Sequence, residues 1–116
     1  MLGYRLKPVV TFHPGLVSDT VRPGTNFEWQ CALESGAKQV LAIQLRIHFL
    51  KVNGAHKITV FKVKDAAFKK GERLEITKRQ LFRPMTTRTL YPGVHYADLE
   101  VNGVIVASTE FELLAH

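Results

Sequence analysis

Val40-Leu41-Ala42-Ile43-Gln44-Leu45-Arg46-Ile47-His48-Phe49 is the stretch that decides the fold. Leu41, Ile43, Leu45, Ile47 and Phe49 fall on one side of an extended chain, and Gln44, Arg46 and His48 on the other. Successive side chains of a strand point to opposite faces, so the stretch carries one apolar and one polar face. A helix would scatter the five apolar residues around its circumference. The stretch therefore reads as a half-buried strand.

The alternation continues outward in both directions. Phe27, Trp29, Cys31 and Leu33 alternate with Asn26, Glu28, Gln30 and Glu34 around the small Ala32, a second half-buried strand. An earlier strand is expected near Tyr4 to Phe12, followed by a loop at Pro14-Gly15 and a turn at Pro23-Gly24. Downstream, Asn53-Gly54 marks a turn before the β-branched run Ile58 to Val63. Lys70-Gly71 turns the chain into Arg73 to Thr77, with Leu74 and Ile76 inward. Residues 78–90 are the least regular stretch, because Arg83-Pro84 interrupts any ladder. Tyr91-Pro92-Gly93 is a turn, and His95–Val101 and Val104–Leu114 form a last strand pair around Asn102-Gly103. About seven antiparallel strands with frequent turns predict an all-β, immunoglobulin-like β-sandwich in two sheets.

The last hairpin permits a sharper expectation. A two-residue Asn102-Gly103 loop pairs Val101 with Val104 and Ala97 with Ser108, which turns Phe111 and Leu113 to solvent. A three-residue loop ending at Gly103 pairs Leu99 with Ile105 and Ala97 with Ala107, which keeps them inside. Burial sets register, so the second is expected, with a bulge and Gly103 at positive φ.

The 116 residues are read as one domain, 1–116, with 46% hydrophobic residues and a core that needs no staple. The single cysteine, Cys31, rules out an intrachain disulfide and fits a reducing compartment. Met1–Pro8 lacks a signal peptide's apolar run, and no apolar stretch is long enough to span a membrane. A cytoplasmic location is the expectation.

Charge is unevenly distributed. Residues 51–88 hold 11 of the 16 Lys and Arg and 3 of the 10 acids, a local net charge of +8. Lys62, Lys64, Lys69, Lys70, Arg73, Lys78, Arg79, Arg83 and Arg88 are its candidate anion-binding members. Positive side chains attract a phosphate backbone without demanding precise geometry. The same pattern serves equally as a solvated face with lysines guarding edge strands. Phe61, Phe68 and Phe82 lie nearby, and each fits the core as well as a base-stacking role.

Few residues stand at spacings that carry chemistry. His13, His48, His56, His95 and His116 are unpaired at ligand spacing, so no metal site is expected. Cys31 shares the inward face of Phe27 and Trp29 and reads as an unreactive core thiol. Ser18, Ser35 and Ser108 lie in no nucleophile elbow. Asp98 with Glu100, and Glu110 with Glu112, read as solvated outward carboxylates rather than a glycosidase pair. No catalytic residue and no cofactor is expected. Tyr91, Gly93, His95 and Tyr96 form a structural corner, where His95 or Tyr96 is placed to bond back to the backbone.

Several motifs occur together: Gln39-x-Leu41-x-Ile43, Ile47-His48-Phe49-x-Lys51-x-Asn53-Gly54, Val60-Phe61-Lys62-Val63-Lys64, Thr86-Thr87-Arg88-x-x-Tyr91-Pro92-Gly93-x-His95, Val101-Asn102-Gly103 and Phe111-Glu112-Leu113. In this order they resemble the C-terminal domain that follows the HEAT-like helical repeats of some bacterial DNA alkylation repair proteins. The resemblance spans the chain from Gly3-Tyr4 onward. Gln44-Leu45 departs from it, standing where that pattern has an acidic–aromatic pair. Base excision in that family belongs to the helical repeats, so the resemblance carries over no catalytic residue. It implies an accessory sandwich whose partners are the DNA backbone or a helical-repeat repair domain. The alternative is a protein-interaction module, acting through an edge strand or loops and dimeric in one form, with no nucleic-acid contact. A hydrolase or carbohydrate-binding role lacks a constellation of residues.

Overall fold

The computed structural model describes residues 8–51, 53–82 and 91–115. It contains eight strands: β1 (Val10–Val17), β2 (Thr20–Val21), β3 (Thr25–Ser35), β4 (Gln39–Leu50), β5 (His56–Phe68), β6 (Arg73–Phe82), β7 (Gly93–Val101) and β8 (Val104–Leu113). They form a three-stranded sheet, β1-β3-β6, and a five-stranded sheet, β2-β8-β7-β4-β5. All pairings are antiparallel except that of β2 with β8. This is the predicted immunoglobulin-like sandwich, with the two-residue β2 added.

The alternating residues build the core. Phe27, Trp29, Cys31 and Leu33 of β3 are buried, as are Leu41, Ile43, Leu45, Ile47 and Phe49 of β4. Phe27 stacks on Phe111 at 4.1 Å between ring centroids, and Phe82 meets Phe111 edge-on at 5.6 Å. Phe27 and Phe82 belong to one sheet and Phe111 to the other, so these rings tie the two layers together.

The early strand differs from expectation. Residues 1–7 lie outside the described residues, and β1 runs on through Pro14-Gly15, which the sequence suggests as a loop. Proline survives there because β1 is an edge strand with one unpaired side. Gly15 is required because a Cβ would collide with the Gln30 carbonyl of β3.

The final hairpin also corrects the expected register. Asn102 and Gly103 both have positive φ, 50° and 82°, and Val101 pairs with Val104. This is the two-residue loop with a type I′ turn. A bulge then falls between Leu99 and Glu100, so Leu99 pairs with Ala107 and Ala97 with Thr109. The extra residue lies in β8 rather than in the loop. Either slip restores the parity that buries Phe111 and Leu113, which are 2% and 1% exposed. Burial thus selects the face, while the strong Asn-Gly turn selects where the slip occurs. The Asn102 side chain adds a tether to β4: its Oδ1 accepts from Ala42 N at 2.7 Å, and its Nδ2 donates to the Val40 carbonyl at 3.2 Å.

Candidate nucleic-acid interface

The β5–β6 hairpin carries most of the described candidate cations. Lys62 lies on the outer face of β5, opposite Gln44, and is exposed. Lys64 follows the bulge between Ile43 and Gln44, with its Nζ 5.9 Å from the Phe68 ring centre. Lys69 and Lys70 form the exposed tip of the hairpin. That tip is held firmly: Gly71 N donates to the Ser35 carbonyl at 2.7 Å and Ser35 N to the Glu72 carbonyl at 2.8 Å. Gly71 has φ of 85°, which a side chain would strain. Among the described residues, Lys62, Lys64, Lys69 and Lys70 make no ion pair.

Lys78 behaves differently. It points inward from β6, and its Nζ sits 3.8 Å over the Phe61 ring. Burial pushes its ammonium below the ordinary lysine range. Arg73 and Arg79 lie on the opposite face of β6, within an outer surface that also carries acids. Arg73 Nε donates to Glu75 at 3.0 Å and Arg79 Nε to Glu28 at 3.0 Å. The nine candidates therefore do not form one continuous stripe. Four sit on the β5 edge and hairpin tip, Lys78 covers the inter-sheet mouth, and two are paired to carboxylates. Arg83 and Arg88 lie outside the described residues. Among the aromatics, Phe68 and Phe82 are core, whereas Phe61 is half-buried at that mouth.

The corner residues separate into two environments. His95 is buried: its Nδ1 accepts from Leu50 N at 3.1 Å and its Nε2 donates to the Tyr91 carbonyl at 3.2 Å. Burial chiefly lowers its affinity for a proton, aided by the nearby His56. Tyr96 faces outward between His48 and His56, with ring centroids 6.2 and 5.1 Å away. Gly93 has φ of 138°, and a Cβ there would press on Leu50.

The outer face of the five-stranded sheet holds a polar network that the alternation did not signal. Asp98 is only 8% exposed rather than solvated. Its Oδ2 accepts from His48 Nε2 at 2.7 Å and its Oδ1 from Ser108 Oγ at 2.8 Å. Cross-strand neighbours close over it, because Arg46 and Ser108 stand directly opposite Asp98 in β4 and β8. The carboxylate stands between serine and histidine, so the Ser108 proton is held by Asp98 and not by an imidazole, and the set lacks the Ser-His-Asp order of a catalytic triad. Cys31 is buried, and its thiol is pushed up to about 11 by burial and then by the Glu75 charge, which disfavours the reactive thiolate. Among the described residues no group of three or more His, Cys, Asp or Glu is placed to hold a metal ion. Among the same residues no helix is long and apolar enough to cross a membrane.

A sandwich of this topology is an immunoglobulin-like domain. Residues 12–115 match the family model described as "Uncharacterised protein YhaZ, C-terminal Ig-like domain". The chain belongs to that family. It is 30% identical over 90 residues to the uncharacterized protein YhaZ of Bacillus subtilis (strain 168), covering 78% of this chain and 25% of that protein. Among solved structures it is similar to the alkylpurine DNA glycosylase AlkC of Pseudomonas fluorescens, bound to DNA containing an abasic site analog. There the identity is 33% and the TM-score 0.83, over 93% of this chain and 31% of that one. A β-glucosidase of Listeria innocua shares the fold alone, at 12% identity and a TM-score of 0.71, over 94% of this chain and 16% of that one. The chain thus spans about a quarter to a third of the YhaZ and AlkC relatives it matches.

Proposed function

We propose that this chain is a non-catalytic accessory domain of a DNA alkylation repair protein and that it contacts the DNA backbone in the cytoplasm. The observation that carries this reading is the set Lys62, Lys64, Lys69 and Lys70. These four cations project from one edge and its hairpin tip, and none has an ion-pair partner among the described residues. Unpaired cations on a rigid edge can release counterions from a phosphate backbone. Likeness to a glycosylase solved on DNA supports the same reading. Gel-shift titration of the chain with a short duplex at several salt concentrations tests it. Retardation at low salt is expected, and replacing all four lysines by glutamate should weaken it regardless of sequence. The salt slope should fall by about one for every lysine–phosphate pair removed. Arg79→Ala, which removes a cation already held by Glu28, should change little. No retardation at low salt refutes backbone contact by this domain.

One observation favours a second reading, that of a protein-interaction module. Ile58, Val60, Val94, Tyr96 and Ile105 are exposed large hydrophobics on the outer face of the five-stranded sheet. Exposed apolar groups gathered on one face mark interaction surfaces. On this reading, sedimentation velocity shows a concentration-dependent dimer, and Ile58→Lys returns it to monomer. A single monomeric boundary at all concentrations counts against self-association.

A further inference from the structure

The mouth of the sandwich between the β5 and β6 edges is open. It forms a cleft of about 530 Å³ lined by Val60, Phe61, Lys62, Ile76, Thr77 and Lys78, among others. A second cleft, about 310 Å³, lies on the other side of β5 and shares Val60 and Lys62 with the first. Lys64 lines this second cleft. The two clefts flank the β5 edge, where Lys62, Lys64 and Lys78 line them together with one acid each, Glu75 in the larger and Asp65 in the smaller. The floor of the larger one offers the Phe61 ring, now covered by the Lys78 ammonium at 3.8 Å.

Resting on the DNA-contact reading, we propose that this mouth takes an unstacked nucleotide of a DNA single strand. The base lies on Phe61, the Lys78 ammonium moves from the ring to a phosphate, and Lys62 and Lys64 hold the flanking backbone. Three features favour a nucleotide over an acidic peptide. The floor is a π-face, on which every base can stack. The cover is a partly desolvated ammonium on a flexible stem, which gains by exchanging the ring for a phosphate oxygen. Cations line both clefts around β5, Lys62 and Lys78 in the larger and Lys62 and Lys64 in the smaller, as a backbone running past a stacked base requires.

The test is fluorescence anisotropy of the chain with labelled dT10 and with a 10-base-pair duplex at low salt, for wild type, Phe61→Leu and Lys78→Gln. Thermal melting of each variant verifies that it is folded. Phe61→Leu is expected to weaken dT10 binding about tenfold, the effect of removing one base stack, and to leave duplex binding unchanged. Lys78→Gln, which uncovers the ring but takes away one phosphate partner, should lower the salt dependence of dT10 binding by about one unit of slope. If Phe61→Leu leaves dT10 affinity unaltered, the stacking site is refuted. If the duplex binds and dT10 does not, backbone contact stands and the single-strand site falls. If neither binds, both readings fall. If decameric poly-glutamate displaces dT10 at equal concentration, the cleft recognises negative charge on an extended peptide, and the nucleotide assignment is overturned.

Discussion

Phe111→Ala is expected to destabilise the domain by about 4 kcal/mol, in the range for emptying an aromatic site in a packed core. Phe111 is 2% exposed and sits where the two sheets meet. Its ring is flanked by Phe27 at 4.1 Å and by His95 at 5.5 Å, both nearly parallel to it, with Phe82 edge-on at 5.6 Å. Removing it opens a hole bordered by both layers, and neither sheet can collapse into it without shifting its own ladder. Domains of this size have only about 5–15 kcal/mol of stability, so the variant retains a fraction of the native margin. Urea unfolding measures the loss as a lowered midpoint at constant slope. Phe111→Leu, which keeps much of the volume, should cost roughly half as much. A midpoint unchanged by Phe111→Ala would mean that the ring cluster does not bind the sheets together.

The second large effect is a loss of stability on acidification, and it centres on His95. In the folded protein the imidazole is neutral in a defined tautomer. Nδ1 must carry a lone pair to accept from Leu50 N, and Nε2 must carry the proton donated to the Tyr91 carbonyl. A second proton on Nδ1 would face the Leu50 N–H and bury a charge among Phe49, Phe82 and Phe111. Burial accordingly holds the folded-state value below the ordinary 6.5, with the His56 charge acting in the same direction. The unfolded chain protonates near 6.5 and so binds more protons than the native state below that pH. The stabilisation is therefore complete above about pH 6.5 and is lost as pH falls through the depressed folded value. Melting temperature followed from pH 8 to pH 5 should show this decline. His95→Gln can both accept and donate but cannot be charged, so it should flatten that part of the profile. A variant as pH-sensitive as wild type over this range would place the acid response elsewhere.

The strand faces were legible because a strand half in the core must alternate. The Phe27–Leu33 and Leu41–Phe49 patterns therefore translate directly into buried side chains. Bulges were not legible in position. The slip in β8 depends on where the Asn102-Gly103 turn closes and on what β7 offers opposite, and neither strand encodes that alone. The candidate interface was legible only as net charge. Period two sends Arg73 and Arg79 to one side of β6 and Lys78 to the other, and only the pairing with β3 shows that Glu28 faces Arg79. The environment of Asp98 escaped for the same reason. An outward position on an inner strand is covered by neighbours from both sides, and sequence distance hides that His48 and Ser108 are those neighbours. His95 showed the reverse case: a polar residue in phase with Ala97 and Leu99 marked an inward side chain that needs partners.

The short parallel pairing of Thr20–Val21 with Glu112–Leu113 has a consequence for synthesis on the ribosome. The early strand β2 is clasped by β8, the last of the described strands to be made. The same strand supplies Phe111 to the ring cluster and Leu113 to the core. A nascent chain lacking β8 has Phe27, Phe82 and His95 waiting without their common neighbour, and β2 without its partner. Assembly of this domain is therefore deferred until its final strand clears the exit tunnel, and during that interval the open β7 edge is what a chaperone would have to shield.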